Sequence, residues 1–387
     1  GTWEDLPVVN VTNDPDTYYC TIQDAIDDAS PDDEITVAAG TYFEVGQIVI
    51  DKNLTLTGDD KTNTIIKPDH ATSGGSYAIE NGWIYVAPGV DFEISNFTLD
   101  GRDMSDNLQT IQMAIQSRGE LTVENCNIQY IYKSQYDGRG IVTLAGANNY
   151  INNVSMNNIQ RIGIHIRGGV EPTNPYTVVE NFTYVGKGAG LHLDYGIEFG
   201  GGGQGVVGDI NTPGSGCNIT NCYGIATDVD DSESAGILVT DYYGTFTIAE
   251  VYSSIITDNL NGILVGYADV DISVLTANNN QIYGNSGIGL SGLANTTIDA
   301  TNNWWGDPDG PYYEPNNTCG NGDVVEGPVE IFPWWRTPTG PGTWEDLPVV
   351  NVTNDPDTYY CTIQDAIDDA SPDDEITVAA GTYFEVG

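Results

Sequence analysis

The chain has 387 residues, with 56 acidic side chains against 11 basic ones and a formal net charge of −45. So negative a surface excludes nucleic acid as a partner and opposes an acidic polysaccharide, while 40% hydrophobic and 10% aromatic residues exclude disorder. No apolar run reaches the ~18 residues that would span a bilayer, and no signal peptide is visible, which says nothing of secretion if the sequence is a window on a longer chain.

The first 46 residues, Gly1 to Gly46, return letter for letter as Gly342 to Gly387, an offset of 342 − 1 = 341. The copy carries 11 acids and no base, so one unit holds 56 − 11 = 45 acids against 11 bases, or −34. It stops inside a run that the first copy continues as QIVIDKNLTLTG. We expect a longer tandem array, or a last segment that joins a neighbouring subunit.

Near the start, Ile22, Ala25, Ile26 and Ala29 recur at helical spacing with Asp on the other face. This amphipathic helix is suited to cover the open apolar end of a solenoid. DEITVAAGTYFE and QIVIDKNLTLTG then supply the first strands.

From residue 94 onward an apolar-x-Asn-apolar theme recurs at Asn96, Asn125, Asn153, Asn181 and Asn221, and more loosely at Asn278 and Asn302. The first steps are 29, 28 and 28 residues, and the step of 40 to Asn221 implies an insertion in GIEFGGGGQGVVGDINTPGSG. A second theme, Gly-apolar-x-apolar, runs out of phase at Gly140, Gly163, Gly190, Gly236, Gly262 and Gly287. Short alternating strands separated by Gly and Asn turns at a fixed period define an all-β solenoid, with coils about 4.8 Å apart. The Asn residues are expected to stack their amides along the axis.

At the far end, Trp304, Trp305, Trp334 and Trp335 supply bulky rings to close the rod, and RTPTGPGTW reads as a linker. The expected organisation is one module over residues 1–335, comprising a cap (1–46), coils (47–303) and a Trp-rich cap (304–335). A linker (336–343) and the start of an identical module (344–387) follow.

With TIQDAIDDASPDDEITVAAGTY, QIVIDKNLTLTGDD and NNWWGDPDGP in view, the chain resembles right-handed parallel β-helix proteins of the pectate-lyase-like and NosD-like families. Within them it is most similar to archaeal surface-layer and cell-surface filament proteins. The resemblance implies a right-handed parallel β-helix with a short N-terminal capping helix. It also implies an extracellular structural role as a surface layer, sheath or filament, with identical modules joined head to tail.

No residue is assigned to catalysis on this reading. The alternative is a carbohydrate-binding or carbohydrate-cleaving β-helix whose cleft lies around His165, Arg167, His192, Asp194, Tyr195 and Glu198. There GIHIR and GLHLD would sit one coil apart. A third reading is an adhesin that binds cells or glycans through its 23 tyrosines.

Asp228, Asp230, Asp231 and Glu233 crowd four carboxylates into six residues, a ligand set suited to Ca2+, the one cofactor the sequence offers. Weaker candidates are Asp14 with Asp16 and Asp307 with Asp309. Of nine sequons, Asn10, Asn218, Asn295, Asn316 and Asn351 fall off the stacked-Asn register and are the expected glycosylation acceptors. Cys20 and Cys319 lie about ten coils, roughly 45–50 Å, apart, beyond the ~7 Å limit of a disulfide. We therefore expect Cys319 to pair with Cys361, the next module's Cys20, and Cys20 to pair with a preceding module. Cys126, Cys217 and Cys222 read as small buried residues, with a Cys217–Cys222 bond as the alternative.

Overall fold

A computed structural model describes residues 7–13, 15–69, 71, 81–133, 137–225, 233–242, 244, 246–267, 270–293, 295–314, 317–318, 320–340, 349–354, 358–360 and 363–378. Its strands build three long sheets. Among the described residues sheet 1 has thirteen strands running to Val329–Glu330, sheet 2 has nine from Gly40–Glu44 to Gln281–Tyr283, and sheet 3 has eleven from Ile48–Ile50 to Pro311–Tyr312. The chain visits the sheets in rotation, and the strands of successive coils pair in parallel, while Val8–Asn10 and Thr17–Tyr19 join the start of sheet 1 antiparallel. This is the parallel β-helix expected from the sequence.

The core is built of registered rows. On sheet 3, Ile84, Ile115, Ile141, Ile164, Ile197, Ile237, Ile263 and Leu290 occupy one line, and all are fully buried. Each such side chain contributes about 1.5–3 kcal/mol by leaving water. From Ile141 to Leu290 each member of this row follows directly on a Gly. The Gly row is Gly140, Gly163, Gly196, Gly236, Gly262 and Gly289, with Gly196 and Gly289 where the sequence theme pointed to Gly190 and Gly287. The reason for Gly is steric. A Cβ on Gly163 would stand 2.5 Å from the Gly196 carbonyl oxygen and 2.7 Å from the Tyr184 ring.

The Asn theme marks the corner after sheet 1. Asn96, Asn125, Asn153 and Asn181 have φ of 65°, 50°, 51° and 50°, the left-handed region that Asn tolerates better than most residues. Asn125 Nδ2 donates to Asn96 Oδ1 at 2.5 Å, and Asn153 Nδ2 donates to Asn125 Oδ1 at 3.0 Å. Asn181 breaks line and donates to Asn152 Oδ1 at 2.9 Å. Beyond it the corner is taken by Gly208, Ser253 and Asn279, not Asn278. Asn221 follows Cys217–Thr220 of sheet 2 and belongs to a different corner. The inferred 40-residue step therefore joined two unlike positions, and the inserted chain is the shorter loop 208–216.

Helix α1 (Ile22–Asp28) begins at Thr21, whose hydroxyl accepts from Asp24 N at 3.1 Å, and it buries Ile22, Ala25 and Ile26. The coil beneath satisfies both of its ends. Glu44 accepts from the Ile22 and Gln23 amides at 3.0 and 3.4 Å, and Lys52 Nζ donates to the carbonyls of Ile26, Asp27 and Ala29 at 3.0, 3.3 and 3.2 Å. Charges of these signs at these ends also suit the helix dipole. At the far end Trp304, Trp305 and Trp334 are buried.

The second copy repeats the local structure. Helix α2 (Ile363–Asp369) and the strands Val349–Asn351, Thr358–Tyr360 and Ile376–Val378 pair in the same register as their counterparts. Burial differs. Ile26 is 0% exposed, whereas its copy Ile367 is 54% exposed.

Candidate functional site on the outer face of sheet 3

Three neighbouring strands of sheet 3, Arg139–Thr143, Ile162–Arg167 and Tyr195–Gly200, place Val142, His165 and Glu198 in one row. Their neighbours in sequence, Ile141, Ile164 and Ile197, belong to the core row, so strand alternation turns the polar pair to the outer face. His165 Nε2 lies 3.3 Å from Glu198 Oε1, and each side chain is 1% exposed. Leu238 and Leu264 continue the row, and Ile162, Tyr195 and Ala235 pack in an apolar cluster beside it.

Arginines surround the pair. Burial lowers the pKa of His165 and Glu198 opposes that shift, but Arg139 and Arg167 add to it. Burial by itself would raise Glu198, yet His165, Arg161 and Arg139 outweigh it and hold the carboxyl at about 2. The two directions agree on one state at neutral pH, an ionised Glu198 beside a neutral imidazole, because neighbouring guanidinium groups favour the anion and disfavour a further cation. Of the 11 basic residues of the chain, Arg118, Lys133, Arg139, Arg161, Arg167 and Lys187 fall between residues 118 and 187. That stretch holds the five acids Glu120, Glu124, Asp137, Glu171 and Glu180, so its balance is 6 − 5 = +1 inside a chain of −45. Arg139 and Lys133 both pair with Asp137, and Arg118 pairs with Glu171.

Behind this face lies a second polar group. Tyr184 Oη donates to Asp194 Oδ1 at 2.6 Å, the Lys187 amide donates to Asp194 Oδ2 at 2.7 Å, and Lys187 Nζ donates to the Leu193 carbonyl at 2.8 Å. Burial raises Asp194 to about 6 against the lowering effects of Lys187 and Tyr184, and burial lowers Lys187.

The structure therefore divides the residues of the carbohydrate alternative. His165 and Glu198 meet, and Arg167 ends the same strand. Asp194 turns inward to Tyr184, and Tyr195 is buried among apolar neighbours. His192 is half-buried in a turn with φ of 81°. GLHLD is not the adjacent rung: Gly190–Leu191 pairs with Gly224–Ile225 in a separate two-stranded sheet, and Tyr195–Gly200 is the partner of Ile162–Arg167. Arg139, Arg161 and Lys187 were missed from sequence. The signal that could have found them is the crowding of basic residues into one short stretch.

The other expected sites separate as follows. Asp228, Asp230 and Asp231 lie outside the described residues, and Glu233 accepts from Asn261 Nδ2 at 2.8 Å. No group of three or more potential metal-ligating side chains occurs among the described residues. Cys319, Cys361 and Asn316 also lie outside them. Cys20 is exposed and free, and Cys126, Cys217 and Cys222 are free and buried, so Cys217 and Cys222 are not bonded. Asn10 and Asn351 are corrections. Both are fully buried, with their amides donating to Asp33 and Asp374 at 2.6 and 2.8 Å, and neither can carry a glycan in the folded chain. Asn218 and Asn295 are exposed.

The protein is a parallel β-helix with a buried His–Glu pair on the outer face of one sheet. Residues 12–226 match the model of the rhamnogalacturonase A/epimerase, pectate lyase-like family, and His165 and Glu198 fall within them. The match spans 226 − 12 + 1 = 215 of 387 residues, and the chain belongs to this family. That membership overturns the expectation of a structural filament protein without enzymatic activity, because the family is named for polysaccharide-modifying enzymes. No curated protein sequence matches the chain.

Among solved structures, it is similar to the mannuronan C-5 epimerase AlgE4 A-module of Azotobacter vinelandii, with 15% identity over 72% of this chain and 71% of that one, and a TM-score of 0.40. It is also similar to the catalytic domain of a GH87 alpha-1,3-glucanase (13%, 77% and 61%, TM-score 0.37). A third is the pectin methylesterase PemA of Erwinia chrysanthemi (13%, 68% and 86%, TM-score 0.34). At these values the likenesses carry no argument about chemistry. Among the described residues no helix is long and apolar enough to cross a membrane.

Proposed function

We propose that this chain is a polysaccharide-modifying enzyme working on an acidic glycan at the outer face of sheet 3. One observation carries the reading: in a chain of net charge −45, Arg139, Arg161 and Arg167 gather around the His165–Glu198 pair. The sequence argument that a negative protein repels an acidic polysaccharide applies to the surface as a whole, whereas a substrate meets the local field. Arg161 and Arg167 are half-buried and can hold a carboxylate through paired N–H donors. A neutral imidazole supported by an ionised carboxylate is a base for a carbon-bound proton next to a bound carboxylate, whose developing negative charge the arginines would stabilise. His165 and Glu198 are each 1% exposed, so on this reading substrate binding must open the face above them. With such a substrate we further propose that the enzyme works outside the cell, the location expected from the sequence.

The test is incubation with polygalacturonate, alginate and rhamnogalacturonan. Unsaturated product is read by ultraviolet absorbance, solvent deuterium uptake by NMR, and new reducing ends by titration. Unsaturation or deuterium uptake, lost about 100-fold or more in His165→Ala and Arg161→Ala, supports proton abstraction. Reducing ends without either would replace it with hydrolysis. No turnover and no binding of any acidic glycan would sink the reading.

A further inference from the structure

A second groove lies away from this face. It has a volume of about 790 Å³ and runs along the outer side of sheet 2 between the loop 208–216 and the segment 335–340. Its floor is a registered row: Thr183 pairs with Asn218, Asn218 with Ile255, and Ile255 with Gln281. Strand alternation turns these four outward, while Phe182, Ile219, Ile256 and Ile282 are buried in the core. One wall carries Ile210, which is 48% exposed, and the other carries Trp335 and Pro338.

Both walls are held in place. Asp209 fixes the loop by accepting from Asn211 N at 2.9 Å and from the Thr212 hydroxyl at 2.9 Å, and the Ser253 hydroxyl donates to the Asp209 carbonyl at 3.1 Å. The Trp335 amide donates to the Asn303 carbonyl at 2.7 Å, and the Thr337 hydroxyl donates to the Gly340 carbonyl at 3.1 Å.

The lining has one unusual property. Among the described residues 18 line the groove and none of these is charged, although 17% of the chain is. At that share about three charged side chains would fall here by chance. The lining offers amides, hydroxyls and apolar surface instead.

We propose that this groove binds a neutral oligosaccharide. Amides such as Asn218 and Gln281 exchange hydrogen bonds with sugar hydroxyls as donor and acceptor alike, at no cost of burying an ion. Trp335 and Ile210 offer apolar surface to the C–H faces of pyranose rings. The rungs of the floor repeat about every 4.8 Å, close to the length of one sugar along an extended chain, so successive sugars meet equivalent positions. An acidic glycan finds no cation here and faces a protein of −45. The two faces of the rod thus take glycans of opposite character, and this proposal stands whether or not sheet 3 is catalytic.

The experiment is affinity gel electrophoresis of the whole chain in soluble galactan, xylan, mixed-linkage glucan and polygalacturonate. The expected result is retardation by at least one neutral polymer. The dissociation constant should rise tenfold or more in Trp335→Ala and in Gln281→Arg, while retardation by polygalacturonate is unchanged. Circular dichroism of both variants guards against misfolding, and Gln281, half-buried on the outward-facing floor, lies outside the buried hydrophobic core. Retardation by polygalacturonate alone, or neutral binding that both variants preserve, would overturn it. So would a glycan found by mass spectrometry on Asn218 of the native protein, since that sugar would occupy the groove from within.

Discussion

Tyr184 donates its hydroxyl to Asp194 Oδ1 at 2.6 Å inside the rod, and the ring reaches that position because Gly163 leaves room for it. A Cβ at residue 163 would stand 2.7 Å from the Tyr184 ring and 2.5 Å from the Gly196 carbonyl. Gly163 carries no functional group, but it sets the depth at which the polar group behind sheet 3 is buried.

Gly163→Ala should therefore destabilise the protein by about 1–3 kcal/mol through overpacking. A fall in the urea midpoint at constant slope is the expected signature. An unchanged midpoint would show that the coils can separate to admit a methyl group.

Asp194 gives a pH dependence whose sign is fixed by burial. Its folded pKa is raised to about 6 from an ordinary 3.8, so its contribution is complete below about 4 and is lost as pH rises through about 6. Two pKa units correspond to about 3 kcal/mol. Asp194→Asn should remove most of that decline, giving urea midpoints at pH 4 and pH 7.5 that lie closer together than in the parent.

Glu198 has the opposite sign. Its folded pKa is held at about 2, so it stabilises above the ordinary carboxylate value of about 4.3 and loses that effect as pH falls toward 2. Glu198→Gln should flatten the acid limb of the stability profile. It should cost about 3 kcal/mol at pH 7, because the buried Arg139 guanidinium loses a neighbouring anion. Thermal melts from pH 7 down to pH 2.5 would read both effects.

The duplicated caps permit an internal control. Ile26→Ala should cost about 2–5 kcal/mol, the usual cost of emptying a closed core site. Ile367→Ala, the same substitution in the same local sequence at 54% exposure, should fall within about 0.5 kcal/mol of the parent. Equal losses would mean that the second cap also rests on a coil.

Lys52 binds the first cap to the rod. Its ammonium donates to three carbonyls at the end of α1, and Lys52→Met should lower stability by about 1–2 kcal/mol while keeping the aliphatic stem. Faster limited proteolysis within residues 7–30, with the coils intact, is the expected pattern.

The sequence determined the repeat, the short strands of each coil and the capping helix. A corner that forces positive φ selects Asn, and a helix with one apolar face needs no distant partner to declare itself. Asn96, Asn125 and Asn153 were legible because the period of the solenoid is printed in them. Asn221 and Asn278 misled for the same reason: one rule about turn residues serves every corner, and only the fold says which corner a given Asn turns. Tertiary structure alone decided the site. His165 and Glu198 are 33 residues apart along the chain, with Gly190–Leu191 pairing in a different sheet between them, and strand register brings the pair to 3.3 Å. The same holds for charge. A total of −45 is a property of composition, but the field a ligand meets is set by the few side chains on one face, and folding placed arginines there and only uncharged side chains among the described residues that line the groove on sheet 2.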